Sequence, residues 1–423
     1  MTRKKHEQEP NAHRRQWGVV VLSVVLIGIS NYSLANGQDE DTGGSPSQWI
    51  LVTPSQLKDI AAPLIRQRRG QGWQVEVVTH EIADPANKSA EALQSKLAQL
   101  CTEFDGTSCI LLLGSWKTQG KQTVVSSLKG TQGRMAGMTT DYGFGNPKKD
   151  GGVTVAVGRL PARTPAQAEL MIAKVLAFES MQPTHNRVSL FVGHPGGRND
   201  FEKTFAGNIV KSAVESRLKR LHSRWDVTCV MDIDGSKLSV NPKDFSTEVK
   251  RLLKWGQHFA VYSGHSSAAG LNSRAGRVVS RRVFQDLRTD GPSGVFLSCG
   301  CFSCQISGFD GEGHGIVAIR NRFGPASVIG ALGESYAAHG QLALDGALRC
   351  LMLEEPPKFL GGYWLAIQNG IARGKITPGE FMLYDMADGS GGRVPLEKQR
   401  LEHAEMWVLL GDPGMRIPIA VDK

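Results

Sequence analysis

From Trp49 onward, short apolar runs alternate with segments whose apolar residues recur every three or four positions. Ile50-Leu51-Val52 reads as a short buried strand. Leu57, Ile60, Ala61, Leu64 and Ile65 then repeat at helical spacing, and Gly70 and Gly72 end that helix. Val75 to Val78 predicts the next strand, and Leu93, Leu97 and Leu100 mark a second helix. Cys109 to Gly114 is apolar without alternation, the pattern of a parallel strand buried on both faces. A further strand is expected from Val153 to Val157. Thr164-Pro165-Ala166-Gln167 is a capping box with proline at the first helical position. It opens a helix that buries Ala168, Met171, Ile172 and Val175.

Met181-Gln182-Pro183-Thr184 interrupts the pattern, and a second unit follows. Strands are expected at Val188–Val192, Phe259–Tyr262, Val295–Leu297 and Ala326–Ile329, with helices between them. Strand and helix alternating in this way predict an α/β architecture with a mostly parallel sheet. The expected halves are residues 48–182 and 187–421, with 187–421 carrying the chemistry. The polar, Gly/Ser-rich stretch 36–47 reads as a linker.

The first 35 residues differ from the rest. Arg3, Lys4, Lys5, Arg14 and Arg15 precede an apolar run from Gly18 to Ile29, and Ser33-Leu34-Ala35 offers a small-x-small cleavage site. That layout predicts a secretory signal peptide over 1–35, with export and no membrane span after its removal. This segment also holds three of the nine net positive charges. The remainder has no Lys/Arg stripe with interleaved aromatics, so no nucleic-acid partner is expected. Seven cysteines, at 101, 109, 229, 299, 301, 304 and 350, cannot all pair within an exported chain, so a free thiol is allowed. A bridge between Cys101 and Cys109 is one possibility, and a cysteine at each edge of a buried strand is the other.

Two strand ends carry candidate chemistry. Tyr262-Ser263-Gly264-His265 runs from an apolar strand into a small-residue turn that presents a histidine. Val295-Phe296-Leu297-Ser298-Cys299 delivers a cysteine in the same way. Ligands in open α/β sheets bind beyond the carboxyl ends of the strands. An imidazole there can take the proton of a thiol and make it nucleophilic, so the pair reads as a Cys/His hydrolase dyad.

Several stretches, in order, resemble the gingipain-type cysteine peptidases of the caspase-like clan. Trp49–Pro54 with Gly72–Val77 is similar to that family's opening strand, helix and strand. Leu111-Leu112-Leu113-Gly114 resembles its "LLVGD", with Ser115 in place of the Asp. Thr140–Gly143 resembles "TDxxYG", Val157–Thr164 resembles "VGRxPART", and Leu409–Pro413 matches "LLGDP". The resemblance implies a caspase-hemoglobinase-like α/β/α sandwich with mostly parallel sheets in two side-by-side subdomains. It also implies cysteine-type endopeptidase activity on protein or peptide substrates, with no cofactor. The family's "Y[TS]GHG" histidine falls on His265, with Ser266 where glycine is usual. For the nucleophile, Cys299 best fits the clan's strand-end pattern. Cys301, in a Cys301-Phe302-Ser303 run like the metacaspase "CHS", is the alternative, and Cys304 comes third. The Gly300 amide is expected to help form an oxyanion hole. Asp141 is a candidate to orient His265, or else caps a turn, and Glu334 is a candidate pocket residue in a loop that also leads to His339.

Three rival readings compete. Cys299, Cys301 and Cys304 with His265 or His314 could ligate zinc, but no second CxxC accompanies them, and no metal is expected. Gly264-His265-Ser266-Ser267-Ala268 resembles a nucleophile elbow with Ser266 as a serine nucleophile, yet the glycines after it predict a loop rather than the helix an elbow opens. The departures at Ser115 and Ser266 also admit a catalytically degenerate, exported binding protein of the same fold.

Overall fold

The computed structural model describes residues 47–81, 88–116, 123–146, 152–197, 199–308, 310–388 and 394–420. The expected signal peptide, and the linker up to its last residue, lie outside them. The strands in chain order are β1 (Ser47–Thr53), β2 (Gln74–Thr79), β3 (Thr107–Leu113), β4 (Leu128–Lys129), β5 (Thr139–Thr140), β6 (Ala156–Leu160), β7 (Asn186–Val192) and β8 (Trp225–Met231). They continue with β9 (Phe259–Ser263), β10 (Ser266–Ser267), β11 (Gly270–Ser273), β12 (Gly276–Ser280), β13 (Val295–Cys299), β14 (Ser327–Ala331) and β15 (Trp407–Leu410). The helices are α1 (Ser55–Lys58), α2 (Ala62–Gly70), α3 (Lys88–Glu103), α4 (Pro165–Glu179), α5 (Asp200–Leu218) and α6 (Pro242–Lys254). After them come α7 (Arg281–Asp286), α8 (His314–Arg320), α9 (Ala337–Met352), α10 (Leu360–Arg373), α11 (Pro378–Asp388) and α12 (Leu396–Met406).

Ten strands form one sheet in the order β2-β1-β3-β6-β15-β14-β13-β9-β7-β8. The first four are mutually parallel. So are β14, β13, β9, β7 and β8. Strand β15 is antiparallel to β14 and parallel to β6, which makes the two parallel blocks run in opposite directions. Strand β15 joins them, pairing with β14 at four positions and with β6 at one, Leu410 with Arg159. This is a pair of side-by-side parallel sheets, as the family resemblance implies.

Helices cover both faces. On β13, Ser298 Oγ lies 3.5 Å from His314 Nε2 at the start of α8, whereas the neighbouring Cys299 senses the charge of Asp345 on α9. Successive residues of a strand point to opposite faces, so α8 and α9 sit on opposite sides of the sheet. Thr164 caps α4, accepting from Gln167 N–H at 3.3 Å, whereas Gln167 Oε1 reaches one residue past the cap and accepts from Arg163 N–H at 2.9 Å, so only half of the expected capping box forms. Ala168, Met171, Ile172 and Val175 are buried.

A buried ion cluster ties the turn after β15 to β1, α2 and α4. Arg68 on α2 donates from Nε and Nη2 to Asp412 Oδ2 at 3.1 and 2.7 Å, and its Nη1 meets Glu179 at 2.8 Å. Trp49 Nε1–H donates to Asp412 Oδ1 at 2.9 Å. The "LLGDP" aspartate is thus the acceptor of a fully buried guanidinium and an indole.

Strands β8 and β15 are additions to the sequence reading, and three further points differ from it. Strand β6 lies three residues beyond the expected one, because Arg159 belongs to it: the guanidinium is buried against Asp141 rather than ending the strand. The glycine-rich stretch after His265 is not a loop but the three-stranded antiparallel sheet β10-β11-β12. Gly276, at φ +96°, makes its turn, and Gly270 lets β11 approach the Val279 carbonyl. Cys101 and Cys109 are both free thiols, and they pack into different core clusters, Cys101 beside Leu97 and Cys109 with Trp49.

Candidate active site

The parallel pairing of β9 with β13 sets Ser263 opposite Cys299. The two chains then leave the sheet side by side, one toward His265 and the other toward Cys301. Their approach is close. A Cβ added to Gly300 would stand 2.8 Å from the Gly264 carbonyl oxygen and overlap Ser266 Oγ, and the Ser266 hydroxyl donates to Cys301 O at 2.6 Å. Glycine at 300 is therefore what lets the two strand exits touch.

His265 is exposed, and its Nε2 lies 2.8 Å from the carbonyl oxygen of Pro195. That carbonyl can only accept, so Nε2 carries the proton and Nδ1 is the nitrogen left with a lone pair. Pro195 sits in the loop that follows β7, the strand beside β9. The loop is tied down in turn. His194 N–H donates to Ser273 Oγ at 2.8 Å, and Ser273 Oγ donates to the fully buried Asp232 at 2.5 Å. Arg274 Nε–H also donates to Asp232, at 2.7 Å. Behind His265, the buried Tyr262 hydroxyl donates to the Asn272 carbonyl and lies 2.9 Å from the His265 carbonyl, fixing the turn's backbone.

The three clustered thiols meet three different surroundings. Cys299 is buried among core residues on the α9 side, and burial pushes its thiol pKa well up. Cys304 is fully buried, packed where a Cβ on either Gly315 or Gly330 would stand 3.2 Å from its sulfur, and burial pushes its pKa up as well. Cys301 is partly exposed, and its Sγ lies 3.4 Å from the Ser335 carbonyl oxygen. The next residue, Phe302, has φ +55°, the one left-handed non-glycine among the described residues. This left-handed turn ends the strand exit and directs Phe302 N–H to the Gly333 carbonyl at 2.7 Å. The thiols do not converge, and among the described residues no three His, Cys, Asp or Glu side chains could hold a metal ion.

The remaining sequence candidates are placed as follows. Asp141 does not reach His265. Both its oxygens are occupied by Arg159 at 2.7 and 2.8 Å, with Trp116 Nε1–H and Ser127 Oγ–H also donating to it. Arg159 lies four strands from β9, about 19 Å across a sheet. Ser266 begins β10, not a helix, so no nucleophile elbow forms. Glu334 borders the Cys301 loop and pairs with Arg134 at 2.8 Å, while Arg134 stacks 4.0 Å above the Tyr336 ring and also binds Glu402. Sequence reasoning missed Pro195, Tyr262 and Asp232. The signal available was the position of His194-Pro195 at the end of a strand adjacent to β9.

Behind Tyr336, His339 and His403 stack with ring centroids 4.0 Å apart, and both are fully buried. Tyr336 N–H donates to His403 Nε2 at 2.9 Å, which needs a neutral ring there. Burial holds the pKa of His403 down to about 4, as it does for His258 and His314, and places His339 well below its ordinary value. In the unfolded chain these imidazoles titrate near 6.5, so between pH 6.5 and 4 the unfolded state binds more protons. Stability is therefore complete above about pH 6.5 and falls as the pH drops toward 4, by up to about 1.4 kcal/mol per pH unit for each histidine. Thermal melts from pH 8 to 4 should show this decline, and His403→Gln should make it shallower by the share of one histidine in four. A melting temperature that stays level through this window would contradict the assignment.

A mostly parallel α/β sheet with helices on both faces is a caspase-like architecture. A profile of peptidase family C25 matches residues 43–418, and the chain belongs to that family of cysteine-type peptidases. Among solved structures, the complex of the Porphyromonas gingivalis RgpB pro- and mature domains superposes with a TM-score of 0.63 at 15% identity, over 89% of this chain and 81% of that one. The Arg-specific cysteine proteinase gingipain R (RgpB) gives 0.62 at 15%, over 89% and 79%. A structure titled simply as a protease gives 0.64 at 16%, over 90% and 80%. No curated protein sequence matches the chain.

Proposed function

We propose that this cysteine peptidase is an exported endopeptidase in which Cys301, rather than Cys299, is the nucleophile and His265 the general base and acid. The observation that carries the reading is the contact of residues 264–266 with residues 300–301, beside an imidazole oriented by Pro195. The earlier expectation favoured Cys299 on strand-end spacing. A nucleophile must be an accessible thiolate, and a buried thiol with a raised pKa is neither accessible nor ionised. Cys301 is two residues further out, where the chain has left the sheet.

In this reading His265 Nδ1 takes the proton of the Cys301 thiol, and the sulfur attacks the peptide carbonyl carbon. Backbone amides of the Gly300–Cys301 segment stabilise the oxyanion. His265 then returns the proton to the leaving amine as the carbon–nitrogen bond breaks, and water releases the acyl group with His265 again as base. Ser266, which departs from the family's glycine, has a structural part here: its hydroxyl holds the Cys301 carbonyl.

Export rests on the basic, apolar and small-residue layout of positions 1–35. The described residues contain no helix long and apolar enough to cross a membrane. Intact mass of the protein recovered from the culture's extracytoplasmic fraction should match a chain beginning at Asn36, and a mass that includes residues 1–35 would refute cleavage there. Activity is tested by incubating the purified chain with a peptide library. Internal cleavage that disappears in His265→Ala supports the endopeptidase. Cleavage that persists in His265→Ala, or no cleavage by the wild type, would instead favour the degenerate binding protein or another site.

A further inference from the structure

His314, the first residue of α8, is fully buried and takes no part in the chemistry proposed for His265 and Cys301. Its backbone belongs to the cysteine side. Gly313 N–H donates to Gln305 O and Gly315 N–H donates to Ser303 O, both at 2.8 Å, so the start of α8 is sewn to the segment that follows Cys301. A Cβ on Gly313 would overlap the Ser303 carbonyl, and one on Gly315 would stand 2.9 Å from it. Glycine on either side of His314 is what permits this approach.

The His314 ring reaches the histidine side. Its Nδ1 lies 3.0 Å from the carbonyl oxygen of Ser267, a near neighbour of His265 in the chain. A carbonyl only accepts, so Nδ1 carries the proton and Nε2 turns its lone pair toward Ser298 Oγ, 3.5 Å away on β13. Phe284 stacks on the ring with centroids 5.2 Å apart and 25° between the planes, and Phe296 packs beside it. Burial pushes the His314 pKa down to about 4, so the ring keeps its neutral form near neutral pH.

This contact falls where the His265 turn is otherwise weakly held. Strands β10, β11 and β12 pair only with one another, so the turn hangs between β9 and a small sheet that shares no strand with the large one. The Ser266 hydroxyl ties it to Cys301 O, and the His314 ring ties the next residue to α8. Proton transfer between a thiol and an imidazole tolerates little displacement, and a misplacement of about 1 Å can cost on the order of 10²-fold in rate.

We propose that His314 is a positioning residue for the peptidase reaction: its Nδ1–H, bonded to the Ser267 carbonyl, holds the His265 turn in register with the chain that leaves β13 at Cys301. The proposal rests on the peptidase reading above. His314 acts through the backbone of residue 267 and touches neither the thiol nor the substrate.

The test compares three replacements in the full chain. His314→Asn keeps an N–H donor where Nδ1 stands. His314→Gln carries its amide further out, toward Ser298, and His314→Leu fills the space without a donor. In the Leu and Gln variants kcat should fall about 10- to 100-fold while KM stays within about 3-fold, and Asn should recover kcat to within a few-fold of wild type. Activity should follow the donor and not the melting temperature. The rate at which iodoacetamide labels Cys301 should fall and recover in the same order, which reads the thiol–imidazole geometry without turnover. Should His314→Leu fail to fold, the Asn and Gln variants carry the same comparison. Slower labelling in Gln with recovery in Asn supports the positioning role even if wild type cleaves no peptide, an outcome that would sink the peptidase mechanism alone. Wild-type kcat and labelling in a folded Leu or Gln variant would overturn the role and leave the mechanism standing. Losses that track the melting temperature, with Asn no better than Gln in activity or in folding, would also overturn it and assign His314 to the core alone.

Discussion

Replacing Cys301 by alanine is expected to lower peptide hydrolysis by at least about 10³-fold, the scale on which removing a covalent nucleophile acts. Its fold should survive, because Cys301 is only partly buried and lies outside the hydrophobic core. Cys299→Ala should behave in the opposite way. Cys299 sits within the core cluster between β13 and α9, and truncating it leaves a small void there. It should cost about 1–2 kcal/mol of stability and leave kcat within a few-fold of wild type. Measuring activity and urea midpoints on the two variants side by side separates the roles. An inactive but stable Cys299→Ala with an active Cys301→Ala would reverse the assignment.

The second large effect concerns stability. Asp412→Ala would leave the Arg68 guanidinium fully buried with only Glu179 as a charged partner, and would strip the Trp49 indole of its acceptor. Breaking a buried ion pair from one side typically costs about 3–5 kcal/mol. The denaturant midpoint should fall accordingly. Replacing the whole cluster, Arg68→Met and Glu179→Gln with Asp412→Leu, should cost less than Asp412→Ala alone, since no uncompensated charge then remains. A loss below about 1 kcal/mol in Asp412→Ala would show that the cluster is hydrated and unimportant.

Most strands of the parallel blocks, though not the edge strand β8, were legible because apolar runs and helical spacing need no tertiary information. His265 and the cysteine cluster were legible for the same reason, as polar residues placed just past apolar runs. Four things were hidden. The length of β13 decides which thiol is still in the sheet: pairing continues through Cys299, so alternation turns that side chain toward α9. Sequence spacing alone could not say where pairing stops. The expected strand stopped at Val157, short of Arg159, because the partner that buries this guanidinium, Asp141, lies in a separate loop 18 residues earlier. Asp412 was recognisable as part of a motif, yet its physical partner Arg68 lies 344 residues away in the chain. Strand β15 was missed as a strand because four residues carry too little periodicity to identify.

The central claim is that Cys301 is the nucleophile activated by His265. Its most direct test is to map by mass spectrometry the cysteine alkylated when native protein meets substoichiometric iodoacetamide near neutral pH. One adduct is expected, on Cys301, that forms more slowly when peptide substrate is present and is largely lost in His265→Ala. An adduct on Cys299, or labelling of Cys301 at the same rate with and without the His265 imidazole, would contradict it.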